Sequence, residues 1–315
     1  MYYVGIDLGG TNIKTGIVNK DGKIVAKSSI PTKADRPADE VAFDMSVEVL
    51  NLVKSAKISL DEVVGVGVGS PGAINSGAGI VDYSPNLGWY NVPIAELILK
   101  RIKKPVKVSN DANVAALGET LFGAGKGYTD TILITLGTGV GGGIVIGGKL
   151  FEGNESKGAE LGHSVICVNG EPCACGRRGC LEAYASATAL IRETKDAMMR
   201  DRASKMWDFV GGDIDKVDGR TAFETEKQGD AMAKLVVNNY VLYLSEGLLN
   251  ICNEFRPQAI MLGGGVCAQG DNLLNRLKKR MKAMHYGYQG TPKVELLIAS
   301  LGNDAGIIGA AALLM

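Results

Sequence analysis

Three cysteines and one histidine form the most specific chemical pattern in the sequence. Cys173, Cys175 and Cys180 lie within eight residues of one another, and His163 precedes the first of them by ten residues. Three thiolates and one imidazole fill the four positions of a tetrahedral zinc site, which leaves no position for a reactive water. The pattern therefore predicts a structural zinc site, with unligated thiols in a reducing compartment as the alternative.

Two glutamates flank this cluster in the sequence. Glu160 precedes His163 by three residues, and Glu182 follows Cys180 by two. A rigid metal site would fix both carboxylates, and carboxylates are good acceptors for the hydroxyl groups of a sugar. Since an isolated glutamate is usually a solvated surface residue, a substrate role and a surface role both stay open at this point.

A further acidic side chain, Asp111, lies in the segment SNDAN at 109–113. The segment follows a predicted strand and opens a predicted helix, and Ser, Asn and Asp all favour the N-cap position. A carboxylate held at a helix start and facing a cleft can also accept a proton from an attacking hydroxyl. The sequence predicts both roles for this segment.

Glycine is the one unusual feature of the composition, with 43 residues. The segments DLGGTNIK at 7–14 and LGTGVGGG at 136–143 could expose backbone N–H groups to phosphate, although a hairpin turn alone would explain the first. Taken together they predict a two-sided phosphate clamp, with Asp7 near Mg²⁺. The segment LGGG at 262–265 could pack against a nucleotide or simply turn a strand into a helix.

The elements around the two glycine loops follow the same order. Strands are predicted at 2–8, 12–18 and 23–30 around the first loop, and at 130–136, 142–146 and 149–151 around the second. This repeat predicts two related halves that face each other across a cleft, with chance glycine matching as the alternative. The other predicted elements are helices at 38–56, 93–103, 112–122, 271–284 and 304–314, strands at 63–68, 106–109, 258–262 and 294–298, an irregular insert at 152–182 and helices within 183–254.

Length and charge exclude several classes of protein. A chain of 315 residues favours two domains. Lys and Arg (34) balance Asp and Glu (34), so no global charge favours nucleic acid or an anionic membrane. The sequence shows neither a signal-peptide pattern nor an apolar run long enough for a membrane span, and we expect a cytoplasmic protein.

In combination, these segments resemble the ROK family of sugar kinases and regulators, within the actin/hexokinase-like ATPase superfamily. The resemblance covers essentially the whole chain. Its motifs occur in order as DLGGTNIK at 7–14, SPG at 70–72, PNLGW at 85–89, NDAN at 110–113, LGTGVGGG at 136–143, ELGH at 160–163 and CACGRRGCLE at 173–182. The resemblance implies an α/β, two-domain actin-like (ribonuclease H-like) fold with a central cleft and a zinc-bearing insert.

The resemblance also implies a role for each motif residue. Asp111 would be the catalytic base toward the 6-hydroxyl of a hexose, with glucose first among the substrates. Sugar contacts would come from Gly72, Asn86, Asn110, Asp111, Glu160, His163 and Glu182. ATP and Mg²⁺ would bind Asp7, Gly9, Gly10, Thr11, Asn12, Lys14, Gly137, Thr138, Gly139, Gly264 and Gly265, and structural Zn²⁺ would bind His163, Cys173, Cys175 and Cys180.

Domain boundaries and rival functions complete the expectations. A small domain would span 1–112 with a C-terminal helix at 303–315, and a large domain 113–302; a homodimer is favoured. Kinases for N-acetylmannosamine, N-acetylglucosamine, fructose or allose, and a donor such as polyphosphate, remain alternatives. A sugar-binding regulator would carry a helix-turn-helix ahead of the first phosphate loop, and Asp7 lies too near the start of this sequence for one. A non-kinase ATPase would give no reason for the zinc cluster, Glu160 or Glu182.

Overall fold

The computed structural model describes residues 1–284, 286–287 and 290–315. The strands are β1 Tyr2–Leu8, β2 Asn12–Asn19, β3 Ile24–Pro31, β4 Val63–Ser70, β5 Ala73–Asn75, β6 Ile80–Ser84, β7 Trp89–Val92, β8 Val106–Asn110, β9 Thr131–Leu136, β10 Val140–Ile146, β11 Lys149–Phe151, β12 Ala259–Gly263 and β13 Glu295–Ile298. The helices are α1 Ala38–Ser55, α2 Ile94–Ile102, α3 Asp111–Phe122, α4 Glu182–Ala185, α5 Ala187–Arg200, α6 Lys205–Phe209, α7 Thr221–Lys227, α8 Ala231–Phe255, α9 Asp271–Met284 and α10 Ala305–Ala312. Among the described residues, no helix is both long and apolar enough to cross a membrane.

The chain forms two compact units. The first comprises residues 1–133, 143–159 and 299–315, and the second comprises 134–142 and 160–298. The chain thus passes from one unit to the other more than once. The functional domain limits at 1–112, 113–302 and 303–315 stay a prediction.

Two five-stranded sheets repeat one topology. Their strand orders are β3-β2-β1-β4-β8 and β11-β10-β9-β12-β13, so both place the first strand of the set third and add the fourth and fifth strands beyond it. In the first sheet, β1 pairs antiparallel with β2 and parallel with β4, and β4 pairs parallel with β8. The predicted repeat of strand, glycine loop, strand, tight turn and strand is confirmed.

A third sheet, of order β5-β6-β7, was not predicted from the sequence. Its strands cover only three to five residues each, and Gly77, Gly79 and Gly88 lie between them. Strands this short give no clear alternation of buried and exposed positions, so glycine content alone suggests a loop. The sheet carries the PNLGW segment in the connection between β6 and β7.

The first unit buries apolar side chains on both faces of its five-stranded sheet. Val4, Ile6 and Leu8 alternate along β1 and join a large core cluster with the buried faces of α1 and α2. On the opposite face, Tyr3 packs with Ile307 of α10. Asp7 lies on this second face by the same alternation, so α10 packs behind the end of β1.

Close approach of α3 and α10 depends on a glycine. A Cβ atom at Gly309 would lie 1.6 Å from the carbonyl oxygen of Val114, a backbone atom that cannot rotate away. We expect Gly309→Ala to lower the free energy of unfolding by about 3 kcal/mol, the upper range for overpacking. The measurement is urea unfolding, with Gly219→Ala as control because no atom lies within 4 Å of the added Cβ. Equal midpoints for the two variants would contradict the close packing of these helices.

Candidate active site

The first glycine loop is the hairpin between β1 and β2. The Gly9 N–H donates to the Asn12 carbonyl across the turn at 2.9 Å, and the buried Thr32 hydroxyl donates to the Gly9 carbonyl at 2.6 Å. Thr11 and Asn12 are exposed at the tip. These hydrogen bonds therefore hold the base of the loop, while its tip is exposed and can contact a ligand.

Asp7 lies at the end of β1 beside this loop. Its Oδ2 accepts from Lys14 Nζ at 3.1 Å, an interaction set by the direct pairing of residues 7 and 14 in the hairpin. A Cβ at Gly306 would lie 2.8 Å from Asp7 Cγ, so the glycine of α10 keeps open the space beside the carboxylate. Carboxylate oxygens are ligands that Mg²⁺ prefers, so the Asp7 carboxylate is a candidate ligand for that ion or one of its waters.

Asp111 is the exposed first residue of α3, at the carboxyl end of β8. The N-cap is Asn110, whose side-chain oxygen accepts from Ala112 N at 2.9 Å and from Asn113 N at 3.3 Å. The Asn110 amide also donates to the Gly72 carbonyl at 3.2 Å. Asp111 is thus the first helical residue rather than the N-cap, and its Oδ1 accepts a hydrogen bond from Ala112 N at 2.9 Å.

The connection between β6 and β7 lies beside the first glycine loop. A Cβ at Gly10 would lie 3.3 Å from the Asn86 carbonyl oxygen, which brings the PNLGW segment against the hairpin tip. Gly72 has φ of 106°, and an added Cβ would lie 2.2 Å from the Tyr83 carbonyl, so this position requires glycine. Within the first unit, the structure therefore brings together Gly72 with Asn110 and Asp111, and Asn86 with the first glycine loop.

The second glycine loop, Gly137 to Gly139, joins β9 and β10 in the second unit. The N-terminal end of α5 holds it from two sides, because Ala187 N donates to the Gly137 carbonyl and Thr188 Oγ1 to the Thr138 carbonyl, both at 2.8 Å. Gly264 has φ of 92° and packs on the end of β9, where an added Cβ would lie 2.4 Å from the Leu136 carbonyl. The structure thus places the LGGG segment next to the second loop.

Glu182 links the second glycine loop to the cysteine cluster. Its Oε2 accepts from Val140 N at 3.0 Å, and its Oε1 lies 3.4 Å from Cys173 Sγ. An added Cβ at Gly139 would lie 2.4 Å from Glu182 Oε2, so a side chain there would displace this carboxylate. The sequence suggested a sugar acceptor here; the structure adds a positioning contact that sequence spacing could not reveal.

The four predicted zinc ligands converge. The ligand atoms of His163, Cys173, Cys175 and Cys180 all lie within 4.8 Å of one another. Cys173 Sγ is 3.6 Å from His163 Nδ1, and Cys175 Sγ is 3.7 Å from Cys180 Sγ. Zinc–sulfur bonds of about 2.3 Å in a tetrahedron require edges of about 3.8 Å, so the residues fit the ion.

The pKa values of the cluster's thiols are shifted in different directions. Burial raises the pKa of Cys173 to about 12, and burial also raises the pKa of Cys180. The backbone N–H of Arg177 lowers the pKa of the exposed Cys175. Since zinc binds thiolates, loading the site must release protons, and metal affinity should rise with pH.

Fewer contacts fix two other predicted site residues, Glu160 and Gly265, than fix the residues described above. Glu160 is exposed and immediately precedes the short 3₁₀ turn Leu161–His163, where its carbonyl accepts from His163 N at 3.0 Å. Gly265 is exposed beside Gly264. Thr32 and Thr188, whose hydroxyls donate to carbonyls of the two glycine loops, lie outside every motif, so no sequence pattern indicated them.

The chain is similar to known proteins over nearly its whole length. The profile of the ROK family matches residues 3–315. A glucokinase of Thermotoga maritima is 38% identical over 315 residues, covering 99% of this chain and 96% of the relative. A ROK family glucokinase of Streptomyces griseus, solved in complex with glucose and AMPPNP, superposes with a TM-score of 0.81 at 34% identity and 99% coverage of both chains. A ROK hexokinase of Thermus thermophilus superposes with a TM-score of 0.83 at 32% identity, covering 99% of this chain and 97% of that one.

These similarities test two of the expectations drawn from the sequence. The mixed α/β sheets match the fold of the solved ROK glucokinases over nearly the whole chain, which confirms the predicted actin-like ATPase class. The profile match extends over both glycine loops, the Asp111 segment and the cysteine cluster. This chain belongs to the ROK family.

Proposed function

We propose that this chain is an ATP-dependent hexose kinase that transfers the γ-phosphoryl group to the 6-hydroxyl of glucose. The observation that carries the proposal is Asp111, an exposed carboxylate at the start of α3 whose backbone is fixed by the Asn110 cap and its bond to Gly72. A base in this position can deprotonate the attacking hydroxyl during phosphoryl transfer. The similarity to glucokinases over the full chain supports the choice of glucose.

The glycine loops would supply the phosphate contacts. Backbone N–H groups at an exposed hairpin bind anionic oxygens without side-chain bulk, and Lys14 adds a positive charge. The residues proposed for the phosphates and Mg²⁺ are Asp7, Gly9, Gly10, Thr11, Asn12, Lys14, Gly137, Thr138 and Gly139. Gly264 and Gly265 would contact the adenosine portion, with Mg²⁺ neutralising phosphate charge when bound.

Sugar recognition would use amide and carboxylate side chains. The proposed contacts are Gly72, Asn86, Asn110, Asp111, Glu160, His163 and Glu182. His163 Nδ1 faces Cys173, so zinc would take that nitrogen and leave Nε2–H as a donor for a sugar oxygen. A ligand set of three thiolates and one imidazole leaves zinc no open position, and the ion would act by fixing His163 and its neighbours.

A coupled assay over a panel of hexoses with ATP and Mg²⁺ tests the proposal. We expect the highest kcat/KM for glucose, since the hydroxyl pattern of the substrate must satisfy several polar groups at once. A higher value for fructose, allose, N-acetylglucosamine or N-acetylmannosamine would replace glucose while keeping the kinase. Sugar binding without any phosphoryl transfer, from ATP or polyphosphate, would instead favour a regulator.

Compartment and assembly form part of the same proposal. We propose a cytoplasmic enzyme, because none of the six cysteines of the chain forms a disulfide in the structure. We also propose a homodimer, which light scattering on the purified protein would test. A monomeric mass at the assay concentration would overturn the dimer and leave the chemistry unaffected.

A further inference from the structure

Glu152 lies outside every motif, just after β11 in the first unit. Its Oε1 accepts hydrogen bonds from the Ser76 hydroxyl at 2.9 Å, from the Ser109 hydroxyl, and from the Asn113 amide at 3.5 Å. All three partners are donors, and a carboxylate oxygen can accept from each of them. One half-buried carboxylate oxygen therefore joins three separate parts of the fold.

Two of these partners flank Asp111. Ser109 lies in β8 two residues before it, and Asn113 lies in the first turn of α3 two residues after it. Both are buried, with exposures of 1% and 3%. Among the described residues, the Asn113 amide oxygen has no hydrogen-bond partner, which leaves Glu152 as the side-chain contact that orients this amide.

Loss of the Glu152 carboxylate would leave a buried hydroxyl and a buried amide without their acceptor. Buried donors without partners are costly, so the strand end and the helix start would shift to recover hydrogen bonds. Asp111 lies on the backbone between them and would move with them. Misplacement of a reacting group by about 1 Å can reduce a rate by about 10²-fold.

We propose that Glu152 is a positioning residue for Asp111. It holds β8 and α3 in register on both sides of the proposed catalytic base and does not contact the substrate. This inference depends on the kinase function proposed above. It assigns a role to the segment between β11 and Glu160, which the sequence suggested was only irregular.

The test compares Glu152→Ala and Glu152→Gln in the full-length protein. The alanine variant should lose about tenfold in kcat, with the KM for ATP within about twofold of wild type, because a smaller displacement than 1 Å is expected. The glutamine oxygen can still accept from both serines, so Glu152→Gln should recover most of kcat. Thermal unfolding of each variant gives its folded fraction at the assay temperature, and rates are expressed per folded protein.

A second variant separates positioning from general stability. If Glu152 acts through Ser109, the double variant Glu152→Ala/Ser109→Ala should lose less in kcat than the product of the two single losses. The matched control is Glu155→Ala, which removes an exposed carboxylate of the same segment that forms an ion pair with Lys157 at 3.3 Å. Independent single losses, or equal kcat for the Glu152 and Glu155 variants, would overturn the positioning role.

The outcomes also distinguish the two proposals. A wild-type protein without hexose kinase activity would refute the proposed function before any variant is compared. An active wild type whose Glu152→Ala variant keeps full kcat would refute only the role of Glu152. A variant that lowers the unfolding midpoint but not kcat would assign Glu152 to the fold alone, and would also overturn the proposal.

Discussion

Replacing Asp111 by asparagine is expected to lower kcat by about 10²–10⁴, the range for loss of a general base. Asparagine keeps the size of the side chain and the preference for a helix start, but it cannot accept the proton of the sugar hydroxyl. The N-cap bonds belong to Asn110, so the change leaves the cap intact. Folding should be nearly unchanged, and the KM for glucose should rise less than kcat falls. Steady-state kinetics with saturating ATP and Mg²⁺ measure both.

The matched control is Asp39→Asn, which also changes an exposed aspartate in the first turn of a helix. Asp39 pairs with Arg101 at 2.8 Å on the surface, so its loss should alter kcat by no more than about twofold. If Asp111→Asn keeps more than about a tenth of the wild-type kcat, Asp111 is not the base. A parallel fall in both variants would indicate a general effect of charge rather than proton transfer.

The elements around the two glycine loops were predictable because their signals are local. Alternating β-branched residues and short turns define β1 to β3, and the same pattern recurs in β9 to β11. The cysteine cluster was equally accessible, since three of its four ligands lie within eight residues. In each case, the residues that make the contact are close enough in sequence for their spacing to be informative.

The contacts that hold the candidate site together were not predictable for the opposite reason. Glu182 accepts from Val140 N across 42 residues, and the contact of Glu152 with Ser109 spans 43. Thr32 reaches the Gly9 carbonyl across 23 residues. Such pairs follow from which strands become neighbours, and no periodicity in the chain encodes them. The capping role was foreseen for the SNDAN segment, but only the structure assigns it to Asn110 rather than Asp111.

Removal of zinc is expected to raise the KM for glucose by up to about 100-fold, the upper range for loss of support around a metal site. Cys175→Ser is the preferred variant, because Cys175 is exposed and its replacement does not disturb the core. Without four ligands, the chain around His163 loses its fixed geometry, and Glu182 loses the contact beside Cys173. The KM for ATP should rise less, since α5 still holds the second glycine loop through Ala187 and Thr188.

The control for zinc removal is Cys167→Ser, a half-buried cysteine of the same insert that is not among the four converging ligands. Elemental analysis should find one zinc per chain in the wild type and in Cys167→Ser, and less in Cys175→Ser. Chelation of the wild type should reproduce the kinetics of Cys175→Ser, and should act more readily at low pH, where protons compete for the thiolates. A metal-free protein with an unchanged KM for glucose would separate the cluster from sugar binding. In that case, the four ligands would contribute to the stability of the second unit, and His163 would not be a sugar-binding residue.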